Sequence, residues 1–301
     1  MSHGADSMRS ILFALVANLM IALAKLGAAI FTGSTAMLAE AVHSFADTGN
    51  QVLLIIGMRR ARSAPSEKYP LGFGRAVYFW SFIVAILLFS MGGLFSIYEG
   101  AHKLASHQGL RYPWLAMGIL AFSIVMESVS LWGCMREVNK ARAGRGLWCW
   151  LRETRQSELV VVLGEDVAAL TGLTFALVAI SISMATGNPA FDALGSIAIG
   201  ALLVVVAVGL GHKVKGLLYG QSVDDDTRHA IGKFVEDLPE VDRVINIITI
   251  QLGPDVMVAA KVTMKEMRTN LELMDGINRC EAEIKQKFPE VKWIFFEPDY
   301  Q

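Results

Sequence analysis

The chain has 301 residues, of which 53% are hydrophobic and only 18% charged. Average soluble chains carry about 25% charged residues, so the composition excludes an ordinary soluble enzyme. A formal net charge of −1 argues against a nucleic-acid partner, which needs a clustered basic surface.

Six apolar stretches, Ile11–Phe31, Thr35–Met58, Val77–Tyr98, Trp114–Met135, Glu158–Ala185 and Ala190–Gly211, are each about long enough to cross 30 Å of hydrocarbon. Backbone polar groups in lipid must be satisfied internally, so these runs predict helices. The fold class is a multi-pass α-helical membrane protein with six transmembrane helices. The first run continues directly into the second, which fits a membrane anchor rather than a cleaved signal.

The second span is the informative one. Glu40, His43, Asp47, Asn50 and Gln51 are spaced so that a helix carries all five on one side. His43 and Asp47 lie one turn apart, about 6 Å along the axis, close enough to share an ion. Ionisable residues at membrane depth usually face a cavity or partner. A buried hydrogen bond from His43 to a carboxylate, tying two helices together, is the plainer alternative. In the first span, Lys25 sits where it can snorkel. Asn18, and Glu127 in the fourth span, read as polar ties between helices more readily than as ligands.

The fifth span carries Glu165 and Asp166 side by side. Glu165, Ala168, Ala169, Gly172 and Ala176 form a small-residue stripe of the kind that lets helices approach closely. Asp166 is turned about 100° from Glu165. Two adjacent carboxylates at this depth call for a cation, because buried unpaired charge is costly. Loop charges set orientation. Arg59, Arg60, Arg62, Lys68 and Arg75 follow the second span, and Arg136, Lys140, Arg142, Arg145, Arg152 and Arg155 follow the fourth. The positive-inside rule then predicts both termini in the cytoplasm.

After the sixth span the composition changes at Gly220–Asp226. A helix to about Leu238, strands Val241–Leu252 and Val256–Met264, a helix from Thr269 to about Phe288 and a strand Val291–Glu297 predict an α+β domain of α-β-β-α-β order. The division is a transport domain, 1–215, and a cytoplasmic domain, 216–301. Neither part shows a nucleophile elbow or a phosphate loop, which argues against an enzyme. Cys134, Cys149 and Cys280 form no CxxC pair and read as reduced packing residues.

Taken together, the HxxxD pair His43–Asp47, the six helices and the C-terminal domain resemble the cation diffusion facilitators. Pro65–Arg75, Gly220–Asp224 and Gln251–Asp255 are similar to family segments, and Glu165–Leu170 resembles a divergent branch that includes mitochondrial zinc transporters. The resemblance implies export of a divalent metal, usually zinc, in exchange for protons, by a homodimer joined through a ferredoxin-like C-terminal domain and membrane helices in the cell's inner membrane. It implies a metal site of His43, Asp47 and Asp166, with Glu165 or water completing the shell, because the family's fifth-span histidine falls on Val162. The histidines some members carry after the second span fall on Tyr69 and Phe73. The tail contains only His229, so the resemblance implies a dimerising domain without a bound zinc pair, and no cofactor beyond the transported ion.

One imidazole with carboxylates suits zinc, and manganese or ferrous iron are the alternatives. Metal binding needs neutral imidazole and ionised carboxylate, so it releases protons, and His43, with a reference pKa of about 6.5, is placed to take part. A non-transporting membrane sensor or scaffold is the alternative of another class. An intramembrane metalloprotease is disfavoured because the second span lacks HExxH spacing.

Overall fold

The computed structural model describes residues 12, 15–16, 18–27, 30, 35–106 and 113–300; the side chains of 35–43, 46, 89 and 106 are not described. The loop residues 32–34 and Arg111 lie outside the described residues.

The chain begins with α1 (Asn18–Gly27) and α2 (Thr35–Ala61). Next comes a rod made of α3 (Ala76–Leu87), a π-helical stretch (Leu88–Leu94) and α4 (Phe95–Ser106). It is followed by α5 (Pro113–Ala141), α6 (Leu147–Glu153), α7 (Ser157–Thr186) and α8 (Ala190–Tyr219). Four spans among the described residues are long and apolar enough to cross a membrane: the α3–α4 rod, α5, α7 and α8. At 27 residues, α2 extends about 40 Å, but its row of polar residues keeps it out of that group.

Backbone chemistry sets the ends. Pro113 opens α5, where its missing N–H costs nothing. Gly187 (φ +69°) and Gly220 (φ +101°) take the left-handed conformation that closes α7 and α8. The π-helical stretch contains Gly92 and Gly93. A Cβ on Gly93 would lie 2.8 Å from Val204 Cγ2, and one on Gly200 would lie 2.7 Å from the Gly93 carbonyl oxygen. The α3–α4 rod and α8 therefore meet backbone to backbone, which only small residues permit in a membrane bundle.

Two features differ from the sequence expectation. The basic connection after α5 contains the short helix α6, folded because Trp150 is buried in the membrane-domain core. Lys25 does not snorkel: its ammonium is buried and donates to Ser44 Oγ on α2 at 2.9 Å.

Beyond α8 the chain forms α9 (Asp225–Glu236), β1 (Val241–Leu252), β2 (Asp255–Met264), α10 (Asn270–Lys287) and β3 (Val291–Pro298). The sheet order is β1-β2-β3, with β1/β2 antiparallel and β2/β3 parallel. Asp224 caps α9 by accepting from Thr227 N, and Thr269 caps α10 by accepting from Glu272 N. Val256, Val258, Ala260 and Val262 alternate along β2 and bury one sheet face against Ile231, Val235, Cys280 and Ile284.

This second core is fastened to the first. Gly253 N–H donates to the Tyr78 hydroxyl at 3.0 Å, and Arg155 Nε donates to the Ser222 carbonyl at 2.8 Å. Burial pulls the Arg155 guanidinium below its usual range, opposed by Asp224. At the same joint the backbone of Gly74 packs directly on Leu252 and Gly253, with no room for a Cβ on Gly74.

Candidate functional site

Only one side of α2 turns inward at its middle. Gln51 is fully buried, Asn50 nearly so, and Asp47 is half-buried on the same side. His43 lies one helical turn before Asp47, and its side chain, like that of Glu40, is outside the described ones. From α7, Glu165 and Asp166 are both buried.

The two carboxylates differ in their partners. Asn50 Nδ2 donates to Glu165 Oε1 at 3.3 Å, and Gln51 Nε2 donates to Glu165 Oε2 at 3.1 Å. Each oxygen of Glu165 thus accepts from an amide of α2, which pins the two helices together. Asp166 instead receives the Ser130 hydroxyl of α5, 3.3 Å from both of its oxygens. One hydroxyl carries one proton, so Asp166 keeps more of its lone-pair capacity than Glu165 does.

Between these groups lies a small cavity. Asn18, Asp47, Leu88, Glu127, Glu165, Asp166, Ala169 and Leu203 line it, and its volume is about 30 Å³. That is room for a water molecule or an ion. The structure thus brings Asp47, Glu165 and Asp166 to one place and adds Glu127, which sequence reasoning treated as a tie between helices. Among the described residues no three His, Cys, Asp or Glu side chains converge at ligand distance. The acids ring the cavity without closing on one point. Val162 is fully buried in the apolar core. His229 is on α9 and Tyr69 and Phe73 are in the α2–α3 connection, where the two rings pack at a 47° tilt with centroids 4.7 Å apart.

This polar chamber, walled also by Leu88, Ala169 and Leu203 inside an apolar bundle, has room for a water molecule or a desolvated cation. Its carboxylates supply charge, and its size excludes an organic substrate.

A family model described as the cation efflux transmembrane domain matches residues 11–218. The chain is 34% identical over 231 residues to the mitochondrial proton-coupled zinc antiporter SLC30A9 of Xenopus laevis, an alignment covering 76% of this chain and 41% of that protein. It is 31% identical over 252 residues to metal tolerance protein C4 of Arabidopsis thaliana, covering 82% of this chain and 55% of that one. It is 23% identical over 262 residues to the cation-efflux pump FieF of Yersinia enterocolitica, covering 86% and 81%. The chain spans about two-fifths of the length of the SLC30A9 relative it matches.

Proposed function

Because this chain belongs to the cation efflux family, we propose that it carries a divalent metal cation, zinc in the first place, out across a membrane in exchange for protons. The observation that carries this reading is the cavity flanked by Asp47, Glu165 and Asp166 within the apolar bundle. The printed name of the SLC30A9 relative, a proton-coupled zinc antiporter, supports both the ion and the coupling. Manganese or ferrous iron carried by the same mechanism is the second choice, since most of the donors are oxygens.

In this reading His43 and Asp47 from α2 and Asp166 from α7 hold the ion, and Glu165 stands beside them. Six spans, with α1 and α2 joining the four most apolar ones, place both termini and the basic connections in the cytoplasm of a cell with an inner membrane. The transport domain is 1–215, and the domain 216–301 joins two copies into a homodimer. The open face of its sheet supports that assignment. Ile248, Ala259 and Phe295 stand in register across the three strands, and Ile248 and Phe295 are more than half exposed. An apolar row on an uncovered sheet face fits an isologous contact.

The mechanism follows from ligand chemistry. Binding from the cytoplasmic side requires ionised carboxylates and neutral imidazole, so loading sheds protons. Rocking of α2 and α7 against the other helices then exposes the ion to the other side, where protons displace it. The test is metal-driven proton flux in proteoliposomes holding the full chain and a trapped pH dye. The parent is expected to move protons against zinc, and His43→Ala to lose that flux while dimers still form. Undiminished flux in His43→Ala refutes the assignment of His43.

A further inference from the structure

Asn18 on α1 is 4% exposed and lines the cavity, and among the described residues its Oδ1 has no hydrogen-bond partner. A buried carbonyl oxygen without a donor is costly to keep, and most such oxygens in folded proteins find one. Its neighbours around the cavity explain why this one does not. Asp47, Glu127, Glu165 and Asp166 are carboxylates and Leu88, Ala169 and Leu203 are apolar, so none of these side chains is a standing donor. A cation in the cavity satisfies the lone pairs of Oδ1 and the carboxylates together.

We propose that Asn18 is a cation ligand, its Oδ1 supplying from α1 a neutral oxygen donor to the ion held by Asp47 and Asp166. The inference rests on the cavity being the transport site. It brings a third helix into the coordination shell, and it offers an oxygen donor to a site whose α7 carries Val162, an apolar core residue, one turn before Asp166. A neutral oxygen added to carboxylates raises the coordination number the site can offer. Its loss therefore weighs more on cations that take many oxygen ligands, such as Mn²⁺, than on Zn²⁺, which four donors already satisfy.

The test is calorimetric binding of Mn²⁺ and of Zn²⁺ to the full chain in lipid nanodiscs, with thermal unfolding measured alongside. Asn18→Leu keeps the shape and removes the oxygen. It is expected to weaken Mn²⁺ binding by about tenfold or more and Zn²⁺ binding by less, while the metal-free protein unfolds no earlier than the parent. Parent-like affinity for both ions, or earlier unfolding with unchanged affinity, overturns the proposal and makes Asn18 a helix tie. Asn18→Asp keeps an oxygen and adds charge, and is expected to bind Mn²⁺ more tightly. Unchanged affinity in Asn18→Asp overturns the proposal even where Asn18→Leu does not fold. A parent that binds neither ion overturns the transport-site reading itself, and this inference with it, whereas a parent that binds normally confines any failure to Asn18.

Discussion

Asp166→Asn is expected to lower the initial rate of zinc-driven proton flux by about 100-fold or more, beyond the 10–100-fold usual for residues that only support a metal ligand. Glu165→Gln, one residue away, is expected to keep most of the flux. The difference comes from what holds each carboxylate. Ser130 donates a single hydroxyl to Asp166, and an amide oxygen still accepts it, so Asp166→Asn keeps the packing and loses only charge and lone pairs. Glu165 is held by two amide donors, Asn50 and Gln51. Replacing one carboxylate oxygen by NH₂ sets donor against donor, but Gln51 has its own remedy. Its Oε1 is buried with no partner among the described residues, and rotating that amide by half a turn offers the oxygen to the new donor. The Glu165→Gln protein should therefore unfold close to the parent temperature. Loss of flux in Glu165→Gln with flux retained in Asp166→Asn would exchange the two roles.

The second large effect lies at the joint between the two cores. A Cβ on Gly74 would fall inside the Leu252 carbonyl group, 2.6 Å from its carbon. The obstacle is backbone on both sides, so no side chain can swing away. Gly253 meets the same segment at φ +68°, a conformation that only glycine adopts without strain. Gly74→Ala therefore forces the β1–β2 turn off the start of α3 and breaks the Gly253 N–H to Tyr78 hydroxyl bond. The expected cost is about 1–3 kcal/mol, the usual range for overpacking. Limited proteolysis should show it as new cleavage near Gly220–Asp224, where α8 hands over to the sheet domain. Tyr78→Phe removes only the hydrogen bond and should cost about 0.5–1.5 kcal/mol. A Gly74→Ala protein as resistant to protease as the parent would mean that this contact does not fasten the domain.

How far the sequence led can be judged residue by residue. Apolar length located α5, α7 and α8, and Asp224, Thr269 and the alternating valines of β2 marked the small sheet domain, because caps and periodicity are local signals. The polar row on α2 and the acids of α7 drew attention to two helices that meet through Glu165. What stayed hidden was set by distant partners. The short helix α6 was hidden under arginines and forms because Trp150 finds a buried pocket. The π-helical stretch lies where Gly93 and Gly200 meet across two helices, a contact that no window of one helix reveals. Lys25 looked free to snorkel, but its ammonium is buried and donates to Ser44 Oγ on a neighbouring helix. Glu127 and Asn18 looked like ties because the cavity they line is completed by residues of other helices. The Asn50–Glu165 and Gln51–Glu165 bonds, which give Glu165 different partners from Asp166, needed the packing of α2 on α7 to be seen.

The central claim is that one divalent ion binds inside the bundle between α2 and α7. Anomalous scattering at the zinc edge from crystals of the zinc-loaded full chain tests it most directly. The predicted result is a peak in the cavity about 2.0–2.2 Å from carboxylate oxygens of Asp47 and Asp166. A zinc peak only outside the bundle, in a protein that still transports zinc, would contradict it.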